Sequence, residues 1–348
     1  METPQTKINL TEYSSGAGCG CKIAPDVLSK ILHNNEATHF ENLLVGNATR
    51  DDAAVLDLGN GTALISTTDF FMPVVDDAFQ FGRIAATNAI SDIYAMGGKP
   101  VMAVAILGWP AKLSPELAQQ VVAGGRSICA EAGIPLAGGH SVESAEPFFG
   151  LAVNGLIAIE NIKQNSTAQP GDLLFITKPL GLGIITTAAK RKAVKPGDLE
   201  HAITLMATLN KMGAELGKLK GVSALTDITG FGLLGHLTEL AEGSNCSVEI
   251  NFDKLPLING LNYYLDKYIY PDMTTKNFSA YSSKTNELSA SQLFITCDPQ
   301  TSGGLLVAVN PAHLTEYLAV VKSFNLQGIA DIQIGKVITR TTLPVIIF

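Results

Sequence analysis

Cysteine is scarce and odd in number: Cys19, Cys21, Cys129, Cys246 and Cys297 are the five in 348 residues. That is no disulfide framework, and the N-terminus shows no apolar core behind a basic patch, so no secretory signal is expected. Cys129, Cys246 and Cys297 have small or apolar neighbours and read as small core residues. Long apolar runs are missing as well. The longest uncharged stretch, Pro299 to Thr315, is broken by Gly303-Gly304, Asn310, Pro311 and His313. The more apolar runs, Pro100 to Ala111 and Pro147 to Ile159, are too short to cross a bilayer, so a soluble protein is expected. Positive charge is not in excess, since 24 Lys and Arg stand against 32 Asp and Glu. A protein that grips a nucleic-acid backbone has the opposite balance. The 33 glycines and 16 prolines follow no collagen-like period and serve turns instead.

What is present is the material of a core. Hydrophobic residues make up 46% and charged residues 16%, which excludes disorder and suffices for two ordinary domains. The acid is unevenly placed. Residues 1–165 carry 17 acidic and 9 basic side chains, whereas 166–348 carry 15 of each. Carboxylates gathered in one half form a solvated acidic surface or hold hard cations that in turn hold phosphates.

The pattern of elements is α/β or α+β, strands and helices mixed throughout. The glycine-rich run from Ser14 to Lys22 reads as a mobile loop, followed by a short amphipathic helix near Pro25 to Leu32. Ala53–Leu58 and Thr62–Thr68 flank Gly59-Asn60-Gly61 as a hairpin. A helix from Phe79 to Met96 stops at Gly97-Gly98. Val101–Leu107 is a buried strand, and Ser114-Pro115-Glu116 opens a helix that ends at Gly133. Phe148–Ile159 is another strand. The polar segment Asn161–Gly171 is the linker. This gives a mobile N-terminal segment (1–45), an N-terminal domain (46–165) and a C-terminal α/β domain (166–348). In the last, Leu173–Thr177, Cys246–Phe252 and Gly304–Val309 read as strands. Ile184–Lys192, Ile203–Leu219 and Pro311–Phe324 read as helices, and Gly230-Phe231-Gly232 opens a further one. Residues 255–292 show no clear pattern.

The run GAGCGCK at 16–22 fails as a phosphate loop. A Walker-type loop from Gly16 needs Gly at 21 and Ser or Thr at 23, where Cys21 and Ile23 stand, and its glycine spacing is not G-x-G-x-x-G. What remains is a thiol pair beside the Lys22 ammonium, which favours thiolate and hence a nucleophile or soft-atom carrier. A zinc site lacks the second close ligand pair. Asp51 and Asp52 follow Arg50 before the first strand, and Asp69 ends the partner strand. Asp92 lies inside a helix four residues after Asn88, on one face with it. Each alone is a common surface acid. Together, near one hairpin, they suit magnesium bound to substrate phosphates. Three glycine-containing turns add donors: Ala137–Ser141, with His140 and a hydroxyl, Thr226–Gly232 at a helix start, and Asp298–Gly304, which also serves as a plain structural turn.

Seven runs carry a family resemblance: GAGCGCK at 16–22, GNATRDDAAV at 46–55, STTDFF at 66–71, ATNAISDIYAMGGKP at 86–100, LAGGHS at 136–141, TDITGFGLLGHL at 226–237 and DPQTSGGLL at 298–306. The sequence resembles the selenophosphate synthetase (selenide, water dikinase) family. The later runs are shared with the wider aminoimidazole ribonucleotide synthetase-like superfamily of ATP enzymes, and GAGCGCK narrows the choice. The resemblance implies a two-domain fold of that superfamily, with mixed sheets covered by helices, dimerising through N-terminal-domain strands near ATP. It implies that selenide, ATP and water give selenophosphate, AMP and orthophosphate, with magnesium and potassium, in the cytoplasm. Selenophosphate then serves selenocysteine and selenouridine synthesis, and a selenium-delivery protein is an implied partner. Carried over by motif, Cys19 is the redox-active catalytic position and Lys22 its cation. Asp52, Asp92 and Asp227 bind magnesium. Lys22, Thr49, Arg50, Asp51, Asp69, Asp92, Gly139, His140 and Ser141 contact ATP. The competing readings are a thiol carrier without turnover and another ATPase of the superfamily, thiamine-phosphate kinase-like or hydrogenase-maturation-like.

Overall fold

The computed structural model describes residues 8–14, 16–23, 27, 31, 40–46 and 50–348, with the backbone alone for Cys19 and Cys21. The helix expected near Pro25 to Leu32 falls largely outside the described residues, and Thr49 lies outside them. The first half contributes β1 (Leu43–Val45), β2 (Ala54–Asp57), β3 (Thr62–Phe71), helix α1 (Ala78–Ala95), β4 (Lys99–Trp109), helix α2 (Pro115–Ala132), β5 (Leu136–Glu143) and β6 (Phe148–Ala158). These strands form one sheet in the order β1-β2-β3-β6-β4-β5, parallel only between β4 and β5. The hairpin expected at Gly59-Asn60-Gly61 is present: Gly59 and Gly61 both take positive φ, and Leu58 N–H donates to the Thr62 carbonyl.

The second half contributes β7 (Leu173–Ile176), α3 (Leu182–Lys190), α4 (Asp198–Met206), α5 (Met212–Leu216), β8 (Val222–Asp227), α6 (Gly232–Gly243), β9 (Cys246–Ile250), α7 (Asn262–Leu265), α8 (Asp272–Tyr281), α9 (Ala290–Thr296), β10 (Leu305–Val309), α10 (Leu314–Ser323), β11 (Gly335–Thr339) and β12 (Val345–Ile347). Its sheet runs β12-β9-β11-β7-β10-β8, parallel only between β9 and β12. The fold is therefore α+β with two mixed sheets. Among the described residues no helix is long and apolar enough to cross a membrane.

Helix α1 places the site. Asp77 caps it by accepting from Gln80 N–H, and 15 of its 18 residues are buried. A helix buried all round is a core helix. One flank of α1 packs on β3 and β6, and another meets β8, α4 and α5 of the second half. Polar groups on α1 are thus delivered to the junction of the two halves. Helix α2 lies so close that a Cβ at Gly82 would stand 1.9 Å from the Val121 carbonyl oxygen, and one at Gly124 2.0 Å from that of Phe79. Backbone cannot yield as a side chain can, so Gly82→Ala is expected to cost about 1–3 kcal/mol or more by overpacking. A urea unfolding midpoint equal to wild type would refute this close approach.

Two expectations need correction. The single helix Ile203–Leu219 is split into α4 and α5. Its middle is recruited to tertiary contacts: Lys178 Nζ donates to the Thr208 carbonyl at 2.7 Å, and Asn210 Nδ2 donates to Ser91 Oγ at 2.8 Å. The weakly patterned stretch 255–292 holds α7, α8 and the start of α9, whose capping box pairs Ser289 with Gln292. The polar segment 161–171 is pinned to both halves. Lys163 Nζ donates to the Leu219 and Val222 carbonyls, and Asn165 N–H donates to Asp51 Oδ1 at 2.8 Å.

Candidate active site

Four carboxylates meet the Lys22 ammonium where α1 faces β8. Asp227 ends β8, buried at 2% exposure, and one of its oxygens, Oδ2, has no hydrogen-bond partner. Asp52 precedes β2. Its Oδ1 accepts from Thr226 Oγ at 2.9 Å across the junction, and its Oδ2 is likewise buried without a partner. Asp92 projects from α1 and accepts from Thr67 Oγ at 2.5 Å. Asp69, on β3, accepts from Asn88 Nδ2 at 2.7 Å and faces Lys22 Nζ at 3.4 Å. Burial and the neighbouring charge of Asp227 hold the carboxyls of Asp52 and Asp92 well above the ordinary range. Burial pushes Asp227 up to about 6, opposed by a Ser91 hydrogen bond and by Lys22. These acids repel one another in a dry place. A cation would relieve the repulsion.

Neutral and cationic groups that sequence reading missed hold this cluster in place. Asn88 uses both ends of its amide, donating to Asp69 and accepting from Ser302 N–H at 2.8 Å, with Ser302 at φ 53°. Asn210 joins Ser91 to the Gly303 carbonyl. Lys178, fully buried, donates to the Thr208 and Ser302 carbonyls, and burial lowers its ammonium to about 7, opposed by Asp227. The Asp298–Gly304 segment is more than a plain turn. Gln300 Oε1 accepts from the amides of Gly181 and Leu182, and Asp298 Oδ2 accepts from Gly183, so this loop caps the N-terminus of α3. His236 Nε2 accepts from Thr229 N–H at 3.0 Å, and its Nδ1 faces Glu239 at 3.5 Å. Burial drives the imidazole down to about 3, so a neutral ring fixes the loop that follows Asp227. The legible signal for Lys178 was its place, a charge ending the apolar strand LLFI before Pro179.

The glycine-rich loop at 16–22 lies against the end of β3 and the 298–304 segment. Gly18 and its neighbours to Cys21 form a 3₁₀ turn, and Gly18 N–H donates to the Met72 carbonyl. A Cβ at Gly18 would stand 2.3 Å from Thr301 Oγ, and its φ is +50°, so only glycine fits. Lys190 Nζ donates to the carbonyls of Ser14 and Gly16. The side chains of Cys19 and Cys21 lie outside the described residues. Asp51 is tied to Asn165, and the Arg50 carbonyl accepts from Asn165 Nδ2.

The segment Gly139-His140-Ser141 is the correction. It is no turn but part of β5, exposed at the sheet edge, because parallel pairing with β4 draws it into the sheet. Across the strands, Asp69 pairs with Leu151, Leu151 with Ala105, and Ala105 with Gly139. Three strand spacings separate Gly139 from Asp69, about 14 Å. Within one chain these residues do not join the cluster.

Residues 50–157 match the family model described as AIR synthase related protein, N-terminal domain, and 169–347 match its C-terminal domain. The protein named selenide, water dikinase from Enterobacter sp. (strain 638) is 54% identical over 334 residues, 95% of each chain. The chain belongs to the selenide, water dikinase family. A second member, from Aeromonas salmonicida (strain A449), is 55% identical over 324 residues, covering 92% of this chain and 94% of that one. The fold is also that of AaThiL, solved complexed with AMPPCP and TMP, at TM-score 0.66 and 20% identity over 92% of this chain and 91% of that one. Of the seven runs that mark a selenide, water dikinase in sequence, six converge on the acid cluster or its supports. The seventh, LAGGHS, stands apart on β5.

Proposed function

We propose that this cluster is where the chain, as a selenide, water dikinase, converts ATP, selenide and water into selenophosphate, AMP and orthophosphate. The observation that carries the placement is the set of acids drawn from both halves, Asp92 and Asp227 buried and Asp52 and Asp227 each with a buried partnerless oxygen, beside Lys22. Among the described residues no three His, Cys, Asp or Glu side chains form a metal cluster on their own. Magnesium keeps few protein ligands and completes its shell with phosphate oxygens and water. Asp52, Asp92 and Asp227 would hold it, and it would neutralise charge building on the phosphoryl groups. Lys22, freed from Asp69 when nucleotide arrives, neutralises the transferred phosphoryl and favours thiolate at Cys19. Asp69, Asp51 and Arg50 line the approach of the nucleotide, and Thr49, outside the described residues, is a further contact that the family motif implies.

The same reading includes a second copy of the chain. On the face of the first sheet turned away from α1, Phe70, Met102 and Leu156 are exposed, and Phe70 and Phe148 pair at 5.5 Å. An uncovered apolar sheet face favours a partner. In a homodimer built there, β5 of one chain brings Gly139, His140 and Ser141 to the nucleotide of the other. The buried free thiols of Cys129, Cys246 and Cys297 fit a reducing compartment, the cytoplasm.

Separating AMP from ADP after incubation with ATP, magnesium, potassium and selenide under anaerobic conditions tests the reading. Selenide-dependent AMP is expected. ADP as the sole product would assign the chain to ordinary phosphoryl transfer.

A further inference from the structure

A cavity of about 590 Å³ lies behind the 16–22 loop, floored by α3 and α8, and Lys22 stands at its boundary with the acid cluster. Its charge is the reverse of the molecule's. The chain is net −8, yet Lys22, Lys190, Arg191 and Lys276 line this chamber with Asp272 as the only carboxylate among the described residues. Two of these cations are anchored by backbone carbonyls: Lys190 by Ser14 and Gly16, and Arg191 by Tyr270. Among the described residues no carboxylate lies within ion-pair distance of Lys190, Arg191 or Lys276, so their charge is not cancelled. None of Asp51, Asp52, Asp69, Asp92 and Asp227 lines the chamber. A magnesium nucleotide needs those acids. A bare anion needs their absence.

A second feature narrows the anion. Met72 and Met273 both line the chamber, setting polarizable thioethers among the cations. We propose that this chamber admits the anionic selenium substrate, a soft, singly charged chalcogenide near neutral pH, and delivers it to Lys22. The inference rests on the dikinase reading. The volume leaves room for on the order of twenty waters at ~30 Å³ each, so the anion arrives hydrated and sheds water at the loop. A cleft of one charge sign focuses the field and raises the capture rate of an ion that the whole molecule would otherwise repel.

The test is the double variant Arg191→Gln/Lys276→Gln beside the charge-keeping control Arg191→Lys/Lys276→Arg. Steady-state AMP formation is measured against selenide at saturating magnesium-ATP, in low and high potassium chloride. The neutral variant should lose about tenfold in kcat/KM for selenide at low salt, the lower end of such steering effects. Its salt dependence should flatten, its KM for ATP should stay as in wild type, and the control should resemble wild type. An unchanged selenide kcat/KM, or an equal rise in the KM for ATP, overturns the proposal. Calorimetric titration of the nucleotide-free protein with inorganic phosphate reads the chamber without turnover. Weaker phosphate binding by the neutral variant supports an anion chamber, and equal binding refutes it. If wild type forms no AMP with selenide, the dikinase reading fails, and the phosphate titration still decides whether the chamber takes anions.

Discussion

Asp52→Asn is expected to lower turnover at least a thousandfold and to raise the melting temperature of the metal-free protein. The two effects have one cause. Asp52 is half-buried with its Oδ2 out of water, its charge is opposed by Asp227 and Asp92, and its one compensating bond comes from Thr226. Asparagine keeps an oxygen for Thr226 and removes the charge. The metal-free fold loses a repulsion, and the cation loses a ligand. A rise of about 2–4 °C is expected, the shift that ~1 kcal/mol produces in a domain of 150–250 residues. The pH dependence follows from the raised carboxyl. The unfolded chain releases this proton near pH ~4 and the folded chain only higher, so stability falls as pH rises between the two. The variant should lose less over that span. A melting temperature below wild type at neutral pH, with activity retained, would make Asp52 an ordinary structural acid.

Cys19→Ser should abolish selenide-dependent AMP formation, whereas Cys21→Ser should keep a substantial part of it. Serine preserves size and hydrogen bonding but not a reachable anion near pH 7, so the pair isolates thiolate chemistry from packing. Proximity to Lys22 does not rank the thiols, because Cys21 adjoins it in sequence. The backbone does. No side chain fits at Gly18, where a Cβ would meet Thr301 and Val74, and Gly20 follows, so Cys19 stands between two glycines and is re-aimed with least backbone strain. Lys22→Ala should fail with Cys19→Ser, and it also leaves Asp69 without its ion pair. Activity in Cys19→Ser with a dead Cys21→Ser would reverse the assignment. Activity in both would reduce the loop to a cover.

The sequence made some parts of this site legible and hid others for physical reasons. Local pattern sufficed for α1, since its cap, its length and its glycine stop all lie within twenty-odd residues of chain. The pairing of Asn88 with Asp92 on one face followed from helical spacing alone. What Asn88 binds did not, because Asp69 and Ser302 come from distant strands and loops. The partners of Lys178 and His236 were hidden for the same reason, since each fills carbonyl or amide groups that only the assembled fold exposes, and the place of Lys178 after an apolar strand was its one local signal. The LAGGHS segment misled because two glycines and a histidine look like a turn, whereas parallel pairing with β4 makes them a strand. The split of α4 from α5 was hidden too. Helical periodicity continues through 207–211, and tertiary bonds to Lys178 and Ser91 override it.

The most direct test of the central claim is the fate of phosphorus when ATP is turned over with selenide enriched in ⁷⁷Se, followed by ³¹P resonance. A resonance split by a directly bonded selenium nucleus should appear, accompanied by AMP and orthophosphate in equal amounts, and it should vanish in Asp52→Asn. AMP accompanied by two equivalents of orthophosphate and no selenium-coupled phosphorus would contradict the account.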